Sequence, residues 1–293
     1  MRPQFYPTAA VDTVPILAYN AGMPELPEVE SIAASLRRAI RGLTISSIDV
    51  RRAALLRRGR PADLKALVQR RVIDVRRRGK HLILDAGSRV LVFHLRMTGG
   101  FQWTDPAAPV DKHTHLILRF KPGRRELRFH DVRKFGFLLC LPAAGLEACP
   151  ELSALGPEPL EIGFDAFFTR LRTHRGRLKS VLLDQSFVAG IGNIYADEIL
   201  FESGIHPLAS AAGLSRARAS RLWAAMRTVL AKAVAAGGST IRSYRNADGE
   251  VGHFQDDHQV YGRTGEPCRH CGRPVRRKVI GGRTSHFCSR CQK

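Results

Sequence analysis

What this chain has least of is negative charge: 26 Asp and Glu stand against 47 Lys and Arg, for a formal net charge of +21 over 293 residues. A balance this basic favours a polyanionic partner, because the summed field draws in phosphate-rich molecules. The basic residues also fall in runs, at 51–60, 76–80, 170–179 and 263–290. A merely soluble basic surface accounts for the total but poorly for that clustering, so nucleic acid leads as the expected partner. No apolar stretch approaches ~20 residues, so no membrane-spanning helix is expected and a membrane partner is set aside. Residues 1–22 carry only Arg2 and Asp12 as charges, and Pro15 interrupts their short apolar run, which fits neither a secretory signal nor an arginine-rich transit peptide. Six cysteines, two of them (Cys140 and Cys149) standing alone, suit a reducing cytosol, and a cytoplasmic location is expected.

The remaining four cysteines form the strongest motif. Cys268-x2-Cys271-x16-Cys288-x2-Cys291 has the spacing of a four-thiolate zinc site, each C-x-x-C knuckle offering two sulfurs to one tetrahedral ion. With all four ligands cysteine no coordination position stays open, so one structural Zn2+ per chain is expected, with no catalytic role.

A chain of this length buries a proper core and reads as more than one domain. Residues 1–22 read as an unstructured appendage, with prolines at 3, 7 and 15 and no periodic pattern. A helix follows, with Pro27, Glu28 and Glu30 in its first turn, apolar residues at 29, 32, 33 and 36, and a stop at Gly42. Short strands are expected at 43–50, 72–75, 82–84, 90–95, 116–120, 127–130 and 137–141, separated by turn signals such as Lys121-Pro122-Gly123-Arg124. That density of short strands suggests a β-sandwich. Composition changes at Leu155-Gly156-Pro157-Glu158-Pro159, which reads as a domain hinge, and helical patterns follow at 165–171, 178–185, 194–201 and 215–236. The stretch Gly190-Ile191-Gly192-Asn193 lacks the preceding strand and third glycine of a dinucleotide fingerprint. Two accounts remain open there: glycines that let backbone amides approach a phosphate, or an Asn capping a helix.

The stretch Met23-Pro24-Glu25-Leu26-Pro27-Glu28-Val29-Glu30 admits a second reading besides a helix start. If translation starts at Met23 and that residue is trimmed, Pro24 carries a free secondary amine, a nucleophile partly neutral at cellular pH, with Glu25 beside it as a proton donor. While residues 1–22 stay attached, the Pro24 nitrogen is an amide and cannot attack; an upstream start codon is therefore suspected of being misassigned.

This octapeptide resembles the N-terminus of the formamidopyrimidine-DNA glycosylase family, as do Arg77-Arg78-Gly79-Lys80, Asp131-Val132-Arg133-Lys134-Phe135-Gly136, Gly190-Ile191-Gly192-Asn193-Ile194-Tyr195-Ala196, and Val260-Tyr261-Gly262-Arg263 leading into the four-cysteine tail. The resemblance runs from Met23 to Lys293. It implies an α+β multidomain fold: an extension at 1–23, an N-terminal two-layer β-sandwich with flanking helices at 24–155, a helical helix–two-turn–helix domain at 156–250 and a zinc-ribbon β-hairpin at 251–293. It further implies a monomeric base-excision-repair enzyme acting on damaged double-stranded DNA, which releases oxidised purines such as 8-oxoguanine and formamidopyrimidines and cuts the strand by β and δ elimination, without a redox cofactor.

Roles implied by the resemblance follow residue by residue. Pro24 is the nucleophile, Glu25 the acid, Glu28 a support for sugar and amine, Lys80 a proton donor in the pocket, and Arg283 a phosphate grip that assists the second elimination. Alone, Lys80 reads as a solvated charge at the end of an arginine run. Met97, Arg133 and Phe135 fill the gap left by an extruded nucleotide, whereas core packing remains open for Met97 and Phe135 on their local sequence. His113 and Asn193 contact DNA. His174 stands where the family often has a DNA-binding lysine, which leaves that contact to His174 itself, Arg175 or Lys179; Val132 and Lys134 replace the family's proline and arginine. The sister endonuclease-eight type, which prefers oxidised pyrimidines, and a non-catalytic zinc-ribbon DNA-binding protein are the alternatives. The second gives Pro24, Glu25 and Lys80 no purpose.

Overall fold

The computed structural model describes residues 23–240 and 245–293. The expectation for residues 1–22 lies outside them. Helix α1 (Leu26–Ile40) starts where the sequence places it: the Glu28 carboxylate accepts the Glu25 backbone N–H at 2.8 Å, tying down a donor that the helix cannot satisfy itself. Val29, Ile32, Ala33, Leu36 and Ile40 form one fully buried stripe. That stripe enters the core of a two-layer sandwich.

One layer has four strands in the order β1 (Thr44–Val50), β7 (Thr114–Lys121), β8 (Glu126–Asp131), β6 (Gly99–Thr104). The other has five, in the order β2 (Leu56–Arg58), β9 (Phe137–Pro142), β5 (Arg89–His94), β4 (His81–Asp85), β3 (Asp74–Arg78). Leu82, Leu84, Leu91, Phe93 and Leu138 face Leu116, Leu118, Leu127, Phe129 and Phe101 between the layers. The outer face of the five-stranded layer is also covered: Ile83, Val92 and Leu139 pack on Leu146, Cys149 and Leu152. Burial on both faces explains why β4, β5 and β9 read as nearly unbroken apolar runs instead of alternations.

Two strands escaped the pattern. β6 opens on Gly99-Gly100, poor strand formers, yet pairs with β8 from Gly99↔Asp131 to Thr104↔Glu126. A side chain at 99 would press within 2.4 Å of the Leu95 carbonyl, so the tight turn before β6 requires glycine. β2 is three residues long and pairs in parallel with β9, too short for any period to show.

Short helices α2 (Pro61–Lys65) and α3 (Pro150–Ser153) follow β2 and β9, and a second core joins α4 (Phe164–Thr173), α5 (Leu178–Leu183), α6 (Asn193–Glu202) and α7 (Arg216–Ala235). α6 is buried along its length from Ile194 to Phe201, Asp197 and Glu198 included, so it has no solvent face to give it an amphipathic signature. A last hairpin, β10 (Arg276–Ile280) and β11 (Arg283–Phe287), packs on α6. No helix among the described residues is long and apolar enough to cross a membrane.

Residues 155–159 do not swing free. Glu158 Oε1 accepts from Arg78 Nη1 (2.9 Å) and from the Gly79 backbone N–H (2.7 Å), and Oε2 lies 2.7 Å from Arg77 Nη1. Arg78 Nη2 also donates to the Gly156 carbonyl at 2.7 Å. The turn between β3 and β4 is thereby fastened to the junction of the two halves.

His81 and His94 pair across β4 and β5 with ring centroids 4.6 Å apart. Burial pushes the pKa of His81 down to about 4 and that of His94 to about 2, and the charge of Arg96 adds to both. Both rings are neutral when folded and take up protons near 6.5 when unfolded, so their contribution is present above pH 6.5 and is lost as the pH falls through about 4. The melting temperature should therefore drop across that window, and His81→Phe should flatten the drop; an equally steep profile in the variant would refute this origin of acid lability.

Candidate active site

The first turn of α1 is built into the N-terminus of α6. Glu25 is buried, and its carboxylate accepts from the backbone N–H groups of Gly192 (2.8 Å), Ile194 (2.9 Å) and Tyr195 (3.3 Å). A negative charge meets the free donors and positive end of the helix dipole there. Gly192 is required for the approach, since a Cβ at that position would lie 2.3 Å from the Glu25 carboxyl carbon. The Leu26 N–H donates to the Gly190 carbonyl at 3.0 Å, closing the same joint. Of the two accounts left open for this stretch, the structure bears out neither: the amides of Gly192, Ile194 and Tyr195 hold Glu25, and the helix cap is Gly192 instead of Asn193.

Glu28 lies one turn on. Its Oε1 accepts from the Tyr195 hydroxyl (2.5 Å) and the Ser239 N–H (2.7 Å). Burial and the neighbouring Glu25 charge raise its pKa to about 7. Burial also raises that of Glu25, against the opposing pull of Lys80 and the backbone donors. Lys80, in the β3–β4 turn, is buried rather than solvated. Burial lowers its pKa, the Glu25 and Glu28 charges raise it, and Arg283 lowers it further. Two carboxyls and one ammonium with mutually perturbed protonation thus sit together, as proton-transfer chemistry requires.

Pro24 and Glu28 line a cavity of about 600 Å³ together with Met97, Phe101, Ser239 and Ala247. Next to Met97, Arg133 bridges two apolar side chains: its Nη1 donates to Met97 Sδ at 3.0 Å and its guanidinium lies 4.8 Å from the Phe135 ring centroid. Phe135 is 52 % exposed. Core packing is therefore ruled out for Phe135, and Met97 is half-buried. Asp131 clamps both loops, accepting from Thr98 Oγ1, from the Arg133 N–H (3.2 Å) and from the Gly136 N–H (2.7 Å). Arg96 and Lys134, one in each loop, take left-handed backbone conformations (φ 54° and 59°) that side chains disfavour, and such strain tends to persist where function holds it.

The finger hairpin reaches the same place. Asn193 Nδ2 donates to the Thr284 carbonyl at 2.9 Å, setting exposed Arg283 beside the N-terminus of α6. Asp197, fully buried, accepts from Ser285 Oγ (2.7 Å) and the His286 N–H (2.8 Å). Glu198 accepts from the N–H groups of Gln259 (2.8 Å), Val260 (3.0 Å) and Tyr261 (2.8 Å). The sulfurs of Cys268, Cys271, Cys288 and Cys291 all lie within 4.8 Å of one another, with Cys271–Cys288 at 3.5 Å and Cys268–Cys291 at 3.9 Å. Tetrahedral zinc thiolates at about 2.3 Å from the metal stand about 3.8 Å apart, so the donor set fits such an ion.

The remaining sequence candidates are dispersed. His113 is half-buried with its ring 5.8 Å from that of His130. His174 Nδ1 bonds the Arg170 carbonyl at 2.7 Å and its ring packs on Phe187, while Arg175 is exposed. Lys179 departs from expectation: it is fully buried, donating to Asp197 Oδ1 at 2.5 Å and to the Asn193 carbonyl at 3.1 Å. It neutralises a buried carboxylate and cannot reach a phosphate from there. Tyr195, Asp131 and Asp197 were not singled out from sequence. Asp131, opening Asp-x-x-x-x-Gly between two strands, carried a turn signal that could have found it.

Three family models tile the chain: Formamidopyrimidine-DNA glycosylase N-terminal domain over residues 23–138, Formamidopyrimidine-DNA glycosylase H2TH domain over 155–245, and Zinc finger found in FPG and IleRS over 265–293. A formamidopyrimidine-DNA glycosylase of Bacillus licheniformis is 46 % identical over 277 residues, covering 92 % of this chain and all of the relative, and one of Listeria innocua is 42 % identical over 274 residues with the same coverage. The chain belongs to the formamidopyrimidine-DNA glycosylase family. Among solved structures, MutM (FPG) from Thermus thermophilus is 44 % identical with a TM-score of 0.82, covering 92 % of this chain and 98 % of its own. A Lactococcus lactis FPG mutant in complex with a Fapy-dG containing DNA is 36 % identical with a TM-score of 0.86, covering 92 % and 100 %.

Within this glycosylase fold Lys179 should act on stability. Lys179→Met strands the Asp197 carboxylate inside the protein, which typically costs about 3–5 kcal/mol. Urea unfolding measures it, and a loss below about 1 kcal/mol would return Lys179 to the list of candidate ligands.

Proposed function

We propose that this DNA glycosylase acts on damaged double-stranded DNA as a bifunctional enzyme, releasing oxidised purines and then cleaving the strand as a lyase. The observation that carries the reading is the joint at Glu25: a buried carboxylate with a raised pKa, fixed on the α6 N-terminus, beside Lys80 and the cavity lined by Pro24. The related Lactococcus enzyme is crystallised with Fapy-dG DNA and with abasic-site DNA, which supports both substrates.

In this mechanism Met97, Arg133 and Phe135 enter the duplex and replace the stacking and pairing of the extruded nucleotide, at a cost of a few kcal/mol for unstacking. The freed amine of Pro24 bonds to the sugar C1′ as the bond from C1′ to the base breaks, and Glu25 protonates the leaving base. The C1′–O4′ bond then breaks, O4′ taking a proton as the sugar ring opens, and the resulting iminium supports loss of the 3′ phosphate and then the 5′ phosphate, with Lys80 as the nearby proton carrier. Arg283, Asn193, His113 and Arg175 supply phosphate and groove contacts. The reaction requires Pro24 to be N-terminal, by initiation at Met23 or by processing; the family match begins at residue 23. The four cysteines hold one structural Zn2+, which organises the hairpin bearing Arg283 and takes no part in a reaction step.

Borohydride reduction of the iminium gives a permanent bond, so protein beginning at Pro24 should be trapped on 8-oxoguanine DNA while the intact 293-residue chain is not. Glu25→Gln should bind the lesion yet release base at least ~100-fold more slowly, as expected for loss of a general acid. Equal trapping by intact chain, verified by mass spectrometry, would move the nucleophile to another residue, Lys80 first.

Metal analysis should find one zinc per chain, and chelation should abolish DNA binding before the sandwich unfolds. Cys268→Ser should lose the metal; full retention would refute the site.

A further inference from the structure

His258 has no part in the chemistry above, yet it is buried and hydrogen-bonded in line with Glu28. The Tyr195 hydroxyl donates to Glu28 Oε1 at 2.5 Å, Tyr195 Oη lies 3.3 Å from Ser239 Oγ, and Ser239 Oγ lies 3.0 Å from His258 Nε2. All four residues are buried. They come from α1, α6, the segment after α7 and the loop before the finger, so no local sequence pattern links them.

Counting donors gives each bond its direction. The Tyr261 N–H already goes to Glu198 at 2.8 Å, so the hydrogen bond between the His258 ring and the Tyr261 backbone must have the ring as donor to the carbonyl. Nε2 faces Ser239, so Nδ1 carries the proton and Nε2 of the neutral ring is an acceptor. Burial lowers the ring's pKa to about 4, the Tyr261 backbone bond opposes that, Arg269 adds to it, and Asp256 and Asp257 oppose it. Ser239 therefore gives its proton to His258 and can only accept from Tyr195.

That leaves the phenol with one proton and two takers. While Glu28 is ionised, the Tyr195 hydroxyl, the Ser239 N–H and the Glu25 N–H all donate to it. Once Glu28 is protonated, its own hydroxyl needs an acceptor. The Tyr195 oxygen serves if its proton turns to Ser239 Oγ, which is open because His258 holds the serine's proton.

We infer that His258 is a positioning residue that lets Glu28 take up a proton while staying fully hydrogen-bonded, by allowing the Glu28–Tyr195 bond to reverse. The inference deepens the proposed reaction and rests on it in one respect: the Pro24 amine sheds a proton as it bonds to C1′, and Glu28, in the same cavity, is where that proton goes. The groups that face Glu28 include Glu25 on its own helix, Tyr195 on α6, Ser239 after α7 and Lys80 from the β3–β4 turn. Its pKa near 7 puts both forms within reach at neutral pH.

The test reads the protonated carboxyl stretch of Glu28 by infrared difference titration of the intact zinc-loaded chain without DNA, the band being assigned by its loss in Glu28→Gln. The parent midpoint should lie near 7. His258→Phe and Ser239→Ala should each lower it by roughly half to one pH unit, because the neutral form loses a hydrogen bond and the carboxylate does not. His258→Gln, whose amide oxygen can accept from Ser239, should restore it, which a purely structural role of the imidazole does not predict. An unchanged midpoint in a folded His258→Phe protein overturns the inference; if that variant does not fold, Ser239→Ala decides by the same criterion. No amine chemistry enters this readout, so failure of Pro24 trapping and failure of the relay are separate results.

Discussion

Glu25 on the end of α6 is the contact on which the rest depends. A buried carboxylate is costly unless donors surround it, and a helix N-terminus lacks partners for its first N–H groups, so each satisfies the other. The bond joins the first turn of the sandwich half to the core helix of the second half. The same turn carries Glu28, tied to Tyr195 and Ser239. Residues given roles in the proposed reaction, Glu25 and Glu28, are therefore also ones that fasten the two halves together. A change at Gly192 disturbs both at once, because any side chain there collides with the Glu25 carboxyl.

α6 repeats the device on its other side. Asp197 and Glu198 receive donors from α5, from the hairpin and from the 259–261 loop. A helix with buried carboxylates on several sides acts as a hub: its charges are satisfied only when every neighbouring element is in place. Its sequence looks helical yet announces none of this, since a charge inside a helix is usually a solvated face.

Much of the architecture was legible because it rests on local rules. The stripe of α1, the apolar runs of β4, β5 and β9, the long helix before Gly237-Gly238 and the C-x-x-C pairs each follow from spacing within a few residues. β6 was not legible, since glycines open it and only pairing to β8 makes it a strand. Pro24 and Glu25 were readable as an amine beside an acid, Glu28, Lys80 and Arg283 took their roles from the resemblance, and the convergence of Glu25, Glu28 and Lys80 needed the fold. Lys179 was misread because burial cannot be seen in a basic run: Arg175 and Arg177 on either side of Gly176 are exposed, and only the facing Asp197 draws the lysine inward. Tyr195 and Ser239 were missed because their partners lie far along the chain, whereas Asp131, bonded to the Arg133 and Gly136 amides, carried a local turn signal that was passed over.

Glu158 looked from its prolines and glycine like part of a swivel between halves. Receiving Arg77, Arg78 and the Gly79 amide, it works instead as a rivet. Mechanically that joint is a bracket: one carboxylate held by two guanidinium groups and an amide keeps the β3–β4 turn, and Lys80 with it, in place against residues 155–159. In the proposed reaction a duplex would meet that turn as a fixed wall, so the bending that recognition needs would fall on the nucleic acid, most readily at a weakened step.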